Sequence, residues 1–223
     1  PILPCLVFPD RIKPFLARVQ AKLEQKYSFE QAMRVGLKAV LVSPHFLFLR
    51  EKAGNGTTGL DDFALASRLS YFLWSSMPDD DLMQLAEKGT RRQKETLHQQ
   101  VERMLRDPKS KAFTENFAGQ WLGLRAIDST MPERMLYPEF DDILKVSMVK
   151  ETLLFFEEVL KNDLSLTNFV ASDFSMLNAR LARHYGIPGV DGLEFRKVPL
   201  PPESHRGGVL TMAAVLKVTA NGT

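Results

Sequence analysis

The chain has 223 residues, 44% of them hydrophobic and 25% charged, with a formal net charge of +2. This is ordinary globular composition, which excludes intrinsic disorder, collagen and coiled-coil arrays, and the near-neutral balance supplies no global field toward nucleic acid or an anionic membrane. The single cysteine, Cys5, makes no internal disulfide and completes no four-ligand cysteine or cysteine–histidine zinc site.

A helical period dominates from the start. Leu16, Val19 and Leu23 share one face of a helix expected over residues 12–23, with Pro14 in its first turn. Ser28 and Gln31 form a capping box, and Ala32, Val35, Ala39 and Val42 follow at helical spacing until Ser43-Pro44 stops the helix. Residues 39–49 (AVLVSPHFLFL) are the most apolar stretch, about half of the ~20 residues a membrane span needs, so no transmembrane helix is expected.

Asp61 and Asp62 open a helix striped by Leu65, Leu69, Phe72 and Leu73. Asp79, Asp80 and Asp81 sit in the first turn of a short helix, where acids face the positive end of the helix dipole, and Gly89 closes it. Thr90 and Gln93 form a second capping box ahead of Leu97, Val101, Met104 and Leu105. Asp107-Pro108 marks a stop and a restart. Phe113, Phe117 and Trp121 then project from nearly one helix face. An exposed stripe of three aromatics would be an unusually large apolar patch, so the stripe is expected to be core, with Trp121→Ala costing roughly 3–5 kcal/mol. Leu144, Met148, Thr152, Phe155 and Val159 stripe a long helix over residues 140–160. Ser175 is expected to cap a last helix carrying Leu177, Leu181 and Tyr185 and closed by Gly186.

The helical period is lost over residues 187–208, which hold Pro199, Pro201, Pro202 and several glycines and read as a loop or linker with one short strand at residues 195–198. Residues 209–218 form an apolar run compatible with a helix or a buried strand. Charge is uneven. Residues 88–111 hold eight Lys/Arg against three Asp/Glu, and residues 128–163 hold nine acids against four bases. Solvated helix faces explain both, and no aromatics interleave the basic positions as a nucleic-acid platform requires.

Candidate sites are few. Residues 54–59 (GNGTTG) match a dinucleotide-binding pattern literally, but Arg50-Glu51-Lys52 separates them from the preceding apolar run, and Asp61 and Asp62 occupy the helix start where a pyrophosphate would sit. They read as a surface turn. Asn55 and Asn221 head glycosylation sequons, meaningful in a eukaryotic secretory pathway. His45, His98, His184 and His205 are scattered, with no metal-ligand spacing and no haem-attachment motif, so neither metal nor covalent haem is expected in these residues. His45 reads as a capping side chain. His184 sits at a helix C-terminus, where its charge suits the dipole. Gly207 and Gly208 after Arg206 allow backbone to approach an anion or a neighbouring segment closely. His184, Tyr185, Arg206, Gly207 and Gly208 therefore mark a candidate functional junction; no catalytic residue is assignable.

Five strings carry more information together: residues 39–50 (AVLVSPHFLFLR), 64–81 (ALASRLSYFLWSSMPDDD), 116–125 (NFAGQWLGLR), 173–188 (DFSMLNARLARHYGIP) and 206–221 (RGGVLTMAAVLKVTAN). In their order and spacing the chain resembles the C-terminal uncharacterised domains of planctomycete-type large secreted proteins that also carry a cytochrome-c-like haem domain. The resemblance implies the end of a first helical module over residues 1–52, a main helical domain over 60–185, and a linker with the start of a further module over 187–223. It implies a periplasmic or extracellular setting, haem only in another domain of the parent protein, and partners among the other domains of the same polypeptide, the haem domain included. It assigns no catalytic residue.

The expected fold is all-α, an orthogonal or irregular bundle of about seven helices with an irregular C-terminal extension. The expected function is a non-catalytic scaffold or interaction module. The alternative is a domain of an extracellular hydrolase acting on polysaccharide. A third arrangement has the bundle shielding the haem domain with Trp74 and Trp121 near the interface. A concave pocket gathering His184, Arg206 and a carboxylate would favour the enzyme; a filled apolar junction would favour the scaffold.

Overall fold

A computed structural model describes residues 9–48, 61–89 and 93–220. Cys5, the 54–59 turn, Thr90 and Asn221 lie outside the described residues, as does the side chain of His45. The all-α expectation holds. Ten α-helices and one two-stranded sheet occur among the described residues. The count exceeds seven partly because two short apolar segments, α3 (Pro44–Leu47) and α10 (Ala213–Thr219), are helical. The chain divides into two compact units, Pro1–Arg103 and Met104–Thr223.

In the first unit α1 (Pro9–Glu24) packs on α2 (Phe29–Leu41). The approach is close because Gly36 has no side chain: a Cβ there would lie 2.5 Å from Val19 Cγ2. The Ser28 capping box is present, with both reciprocal bonds made. Asp61 caps α4 (Asp62–Trp74), accepting from Ala64 N at 2.6 Å. Asp79 caps α5 (Asp80–Glu87) and pairs with Arg103 of α6 (Lys94–Arg106) at 2.7 Å, while that guanidinium lies 5.5 Å from the ring of the buried Trp74.

The second unit is built on α8 (Asp142–Lys161), capped by Asp141, whose carboxylate accepts from Leu144 N at 2.6 Å. α7 (Lys111–Trp121) packs on it. Residues 174–177, expected to open a helix, instead form β1 (Phe174–Leu177), antiparallel to β2 (Arg196–Pro199), with Ser175 opposite Val198. The helix cap is Asn178, three residues later. Its side-chain oxygen accepts from Leu181 N at 2.9 Å at the start of α9 (Ala179–Tyr185), and Gly186 closes the helix in the left-handed region. The segment after Gly186 is irregular but not peripheral. Ile187, Val198, Val209, Met212 and Val215 join Leu144, Met148 and Phe155 in one hydrophobic core. The apolar run from residue 209 resolves into a 3-10 turn followed by α10.

Candidate functional site

The inward face of α8 contains Leu144, Met148, Glu151 and Phe155, at successive spacings of four, three and four residues. Glu151 is thus an acid in a core stripe, 1% exposed. Its two oxygens accept hydrogen bonds from Ser175 Oγ and Tyr185 Oη, each at 2.6 Å. The Tyr185 hydroxyl in turn accepts from Ala213 N at 2.8 Å. One carboxyl therefore joins α8, β1, α9 and, through Tyr185, the start of α10. Burial pushes the Glu151 carboxyl up to about 7, against the opposing pull of the Ser175 and Tyr185 hydrogen bonds and the Arg206 charge. Burial, and then the charge of Glu151, hold the Tyr185 hydroxyl far above its ordinary range.

Arg206 covers this cluster. Its guanidinium carbon lies 3.7 Å from the centroid of the Tyr185 ring, and Nη1 donates to Thr211 O at 2.7 Å. Gly207 N donates to Thr211 Oγ1 at 2.9 Å. The two glycines serve a neighbouring segment rather than an anion. A Cβ at Gly207 would meet Ser172 O at 2.7 Å, and one at Gly208, where φ is +72°, would meet Val170 O at 2.5 Å. The space between Glu151, Tyr185, Arg206 and these glycines is only ≈ 10 Å³, about the room for a single water.

On its other side Arg206 borders a larger cleft of ≈ 270 Å³, with Leu144, Met148 and Ala213 among the apolar residues lining it, together with Tyr137, Phe140, Glu139, His184 and Lys217. Glu139 Oε1 stands 4.0 Å from His184 Nδ1. Burial, followed by the Arg206 charge, lowers the His184 pKa despite Glu139. Lys217 Nζ donates to the carbonyls of Ile127 and Thr130 and lies 5.5 Å from the Phe140 ring. Burial lowers its pKa, with Asp128 opposing.

The five residues of the expected junction thus come together. Tyr185, Arg206, Gly207 and Gly208 close over Glu151, while His184 and Arg206 open onto the cleft. Glu151 itself was missed by the sequence reading. Its signal is its register, seven residues after Leu144 and four before Phe155, where an acid has no solvated face.

The aromatic stripe departs from expectation. Trp121 is 50% exposed and Phe117 41%. α7 buries its small face instead, through Thr114, Ala118 and Gly119. The rings form a partly exposed cluster, with Trp121 edge-on to Phe169 at 5.5 Å and to Phe156 at 6.4 Å. The acids of residues 128–163 have local cations: Lys145 pairs with Asp128, Arg180 with Asp141 and Lys197 with Glu158.

Among the described residues, no group of three or more His, Cys, Asp or Glu is placed to hold a metal ion, and no helix is long and apolar enough to cross a membrane. Two family models match the chain. PSD4, described as Protein of unknown function (DUF1592), matches residues 60–187, and PSD5, described as Protein of unknown function (DUF1595), matches residues 7–51. No curated protein and no solved structure matches.

Proposed function

Since the chain belongs to the PSD4 family of proteins of unknown function (DUF1592), whose model covers more than half of it, we propose that it is a non-catalytic helical scaffold and interaction module of a large exported protein associated with cytochrome-c-type electron transfer. The observation carrying the reading is the fate of Glu151. This strongly perturbed carboxyl is the kind of group that marks active sites, yet both its oxygens are engaged by Ser175 and Tyr185 and it faces a space the size of a single water. It holds elements together and meets no substrate. The partly exposed cluster around Trp121 is the surface on which the module meets another domain of the polypeptide. The exported setting and the haem-bearing partner rest on the family resemblance of the five sequence strings.

One observation favours the hydrolase reading: His184, Arg206 and Glu139 share a cleft. Glycoside hydrolysis ordinarily requires two carboxyl groups flanking the scissile bond, and among the described residues that line the cleft Glu139 is the one carboxylate. The test is expression of the full-length parent protein with and without residues 1–223, and with Trp121→Ser. The scaffold reading expects covalent haem in all three, with increased proteolytic susceptibility of the haem domain after the deletion and the substitution. Turnover of a polysaccharide by the purified chain, abolished by His184→Ala, would overturn it.

A further inference from the structure

We propose that the cleft beside Arg206 is a binding site for a small organic monocarboxylate with an aryl or other compact apolar body. The site adjoins the Glu151 cluster through Arg206, which lines both, and does not depend on the scaffold reading. Its ≈ 270 Å³ is just below the ~300–1,000 Å³ typical of small-molecule pockets. Its lining separates by chemistry. Leu144, Met148 and Ala213 are core residues that also line the cleft, and the Tyr137 and Phe140 rings stand beside them. Such a surface takes up an apolar body by the area removed from water.

Two cations are fixed at this surface. Arg206 is oriented by stacking on Tyr185 and by one bond to Thr211 O, which uses one of the five N–H donors of a guanidinium. Lys217 is anchored by two backbone carbonyls and retains a third ammonium donor. Carbonyls solvate these cations but do not neutralise them. Glu139 at the exposed rim and Asp128, whose closest cation is Lys145 at 2.8 Å, offset them in part. An arriving carboxylate supplies the missing negative charge and accepts the remaining donors as charge-assisted hydrogen bonds, which are stronger than neutral ones. His184, held toward its neutral form by burial and by Arg206, contributes a hydrogen bond rather than a third charge. The balance suits one carboxylate better than a dianion.

The test uses phenylacetate, its neutral isostere phenylacetamide, and acetate, each titrated into the ¹⁵N-labelled full chain by NMR. Phenylacetate should saturate with a Kd on the order of 1 mM, as befits so small a ligand, with shifts centred on Ala213, Leu216 and Lys217. Phenylacetamide and acetate should each bind about tenfold more weakly. Lys217→Met should reduce the preference for phenylacetate over phenylacetamide, Arg206 keeping the remainder. Because Arg206 also supports Tyr185, the second variant is Leu216→Trp, which fills the cleft from a half-exposed position and should abolish binding while leaving the remaining amide spectrum intact. Equal binding of phenylacetate and phenylacetamide, shifts centred away from the cleft, or no saturable shift with any probe would each overturn the proposal.

Discussion

Replacing Glu151 by glutamine keeps the shape of the side chain and removes its titration. The folded carboxyl titrates near 7, against a model value of 4.5, so the folded chain binds this proton more tightly than the unfolded chain does. The stabilising contribution of that proton is fully present below 4.5. It is lost progressively as pH rises through about 7 and changes no further above that. At 1.36 kcal/mol for each tenfold in proton affinity, the gap amounts to about 3 kcal/mol. Urea unfolding from pH 4 to 8 therefore has a defined shape: wild-type stability falls relative to Glu151→Gln as pH rises, and the difference between the two changes by about 3 kcal/mol across the series. A difference independent of pH, or a wild type that loses stability relative to Glu151→Gln toward acid, would refute the reasoning, because Glu151 would then be exposed, or ionised in the fold throughout the series.

Three further outcomes follow from packing. Trp121→Ala, which loses a half-exposed ring, should cost about 2 kcal/mol, whereas Phe155→Ala, which empties a fully buried site against Phe174 at 5.1 Å, should cost roughly 3–5 kcal/mol; parallel denaturant titrations check the ordering. Gly208→Ala combines a left-handed φ of +72° with a Cβ 2.5 Å from Val170 O, so it should lower the melting temperature far more than Gly189→Ala, where φ is also positive but nothing lies within 4 Å. Asn178→Ala removes the cap of α9 and the 2.9 Å bond to Ser147 Oγ, and should cost about 1–3 kcal/mol in the same titrations.

Much of the fold was legible because helix starts are written in single side chains. Ser28, Asp61 and Asp79 each cap by the local bond that their residue type permits, whereas the Asp141 cap of α8 lies one residue inside the helix start expected from the sequence. The strand pair was harder. β1 is only four residues long and largely buried, so it lacks the alternation that distinguishes a strand, and Ser175 there resembles the cap that Asn178 provides. The direction faced by α7 was hidden for another reason. Its large residues suggested the buried side, but close packing selected Ala118 and Gly119 and left the rings at the margin. At the candidate site, sequence reading located the Tyr185 and Arg206 ends of the junction through their glycines. It missed Glu151 because an acid within a helix is ordinarily solvated, and only its place in the Leu144–Phe155 stripe says otherwise.

The polar cluster at Glu151 acts as a structural closure that ties α8 and α9 to the start of α10. Native-state hydrogen exchange of Tyr185→Phe tests it most directly, because the lost hydroxyl accepts from Ala213 N at 2.8 Å and donates to Glu151 at 2.6 Å. The closure account predicts that protection of the Ala213 amide falls at least about tenfold more than protection of amides at the α1–α2 contact. Unchanged protection at Ala213, with exchange in α8 and α9 as slow as in the wild type, would contradict it.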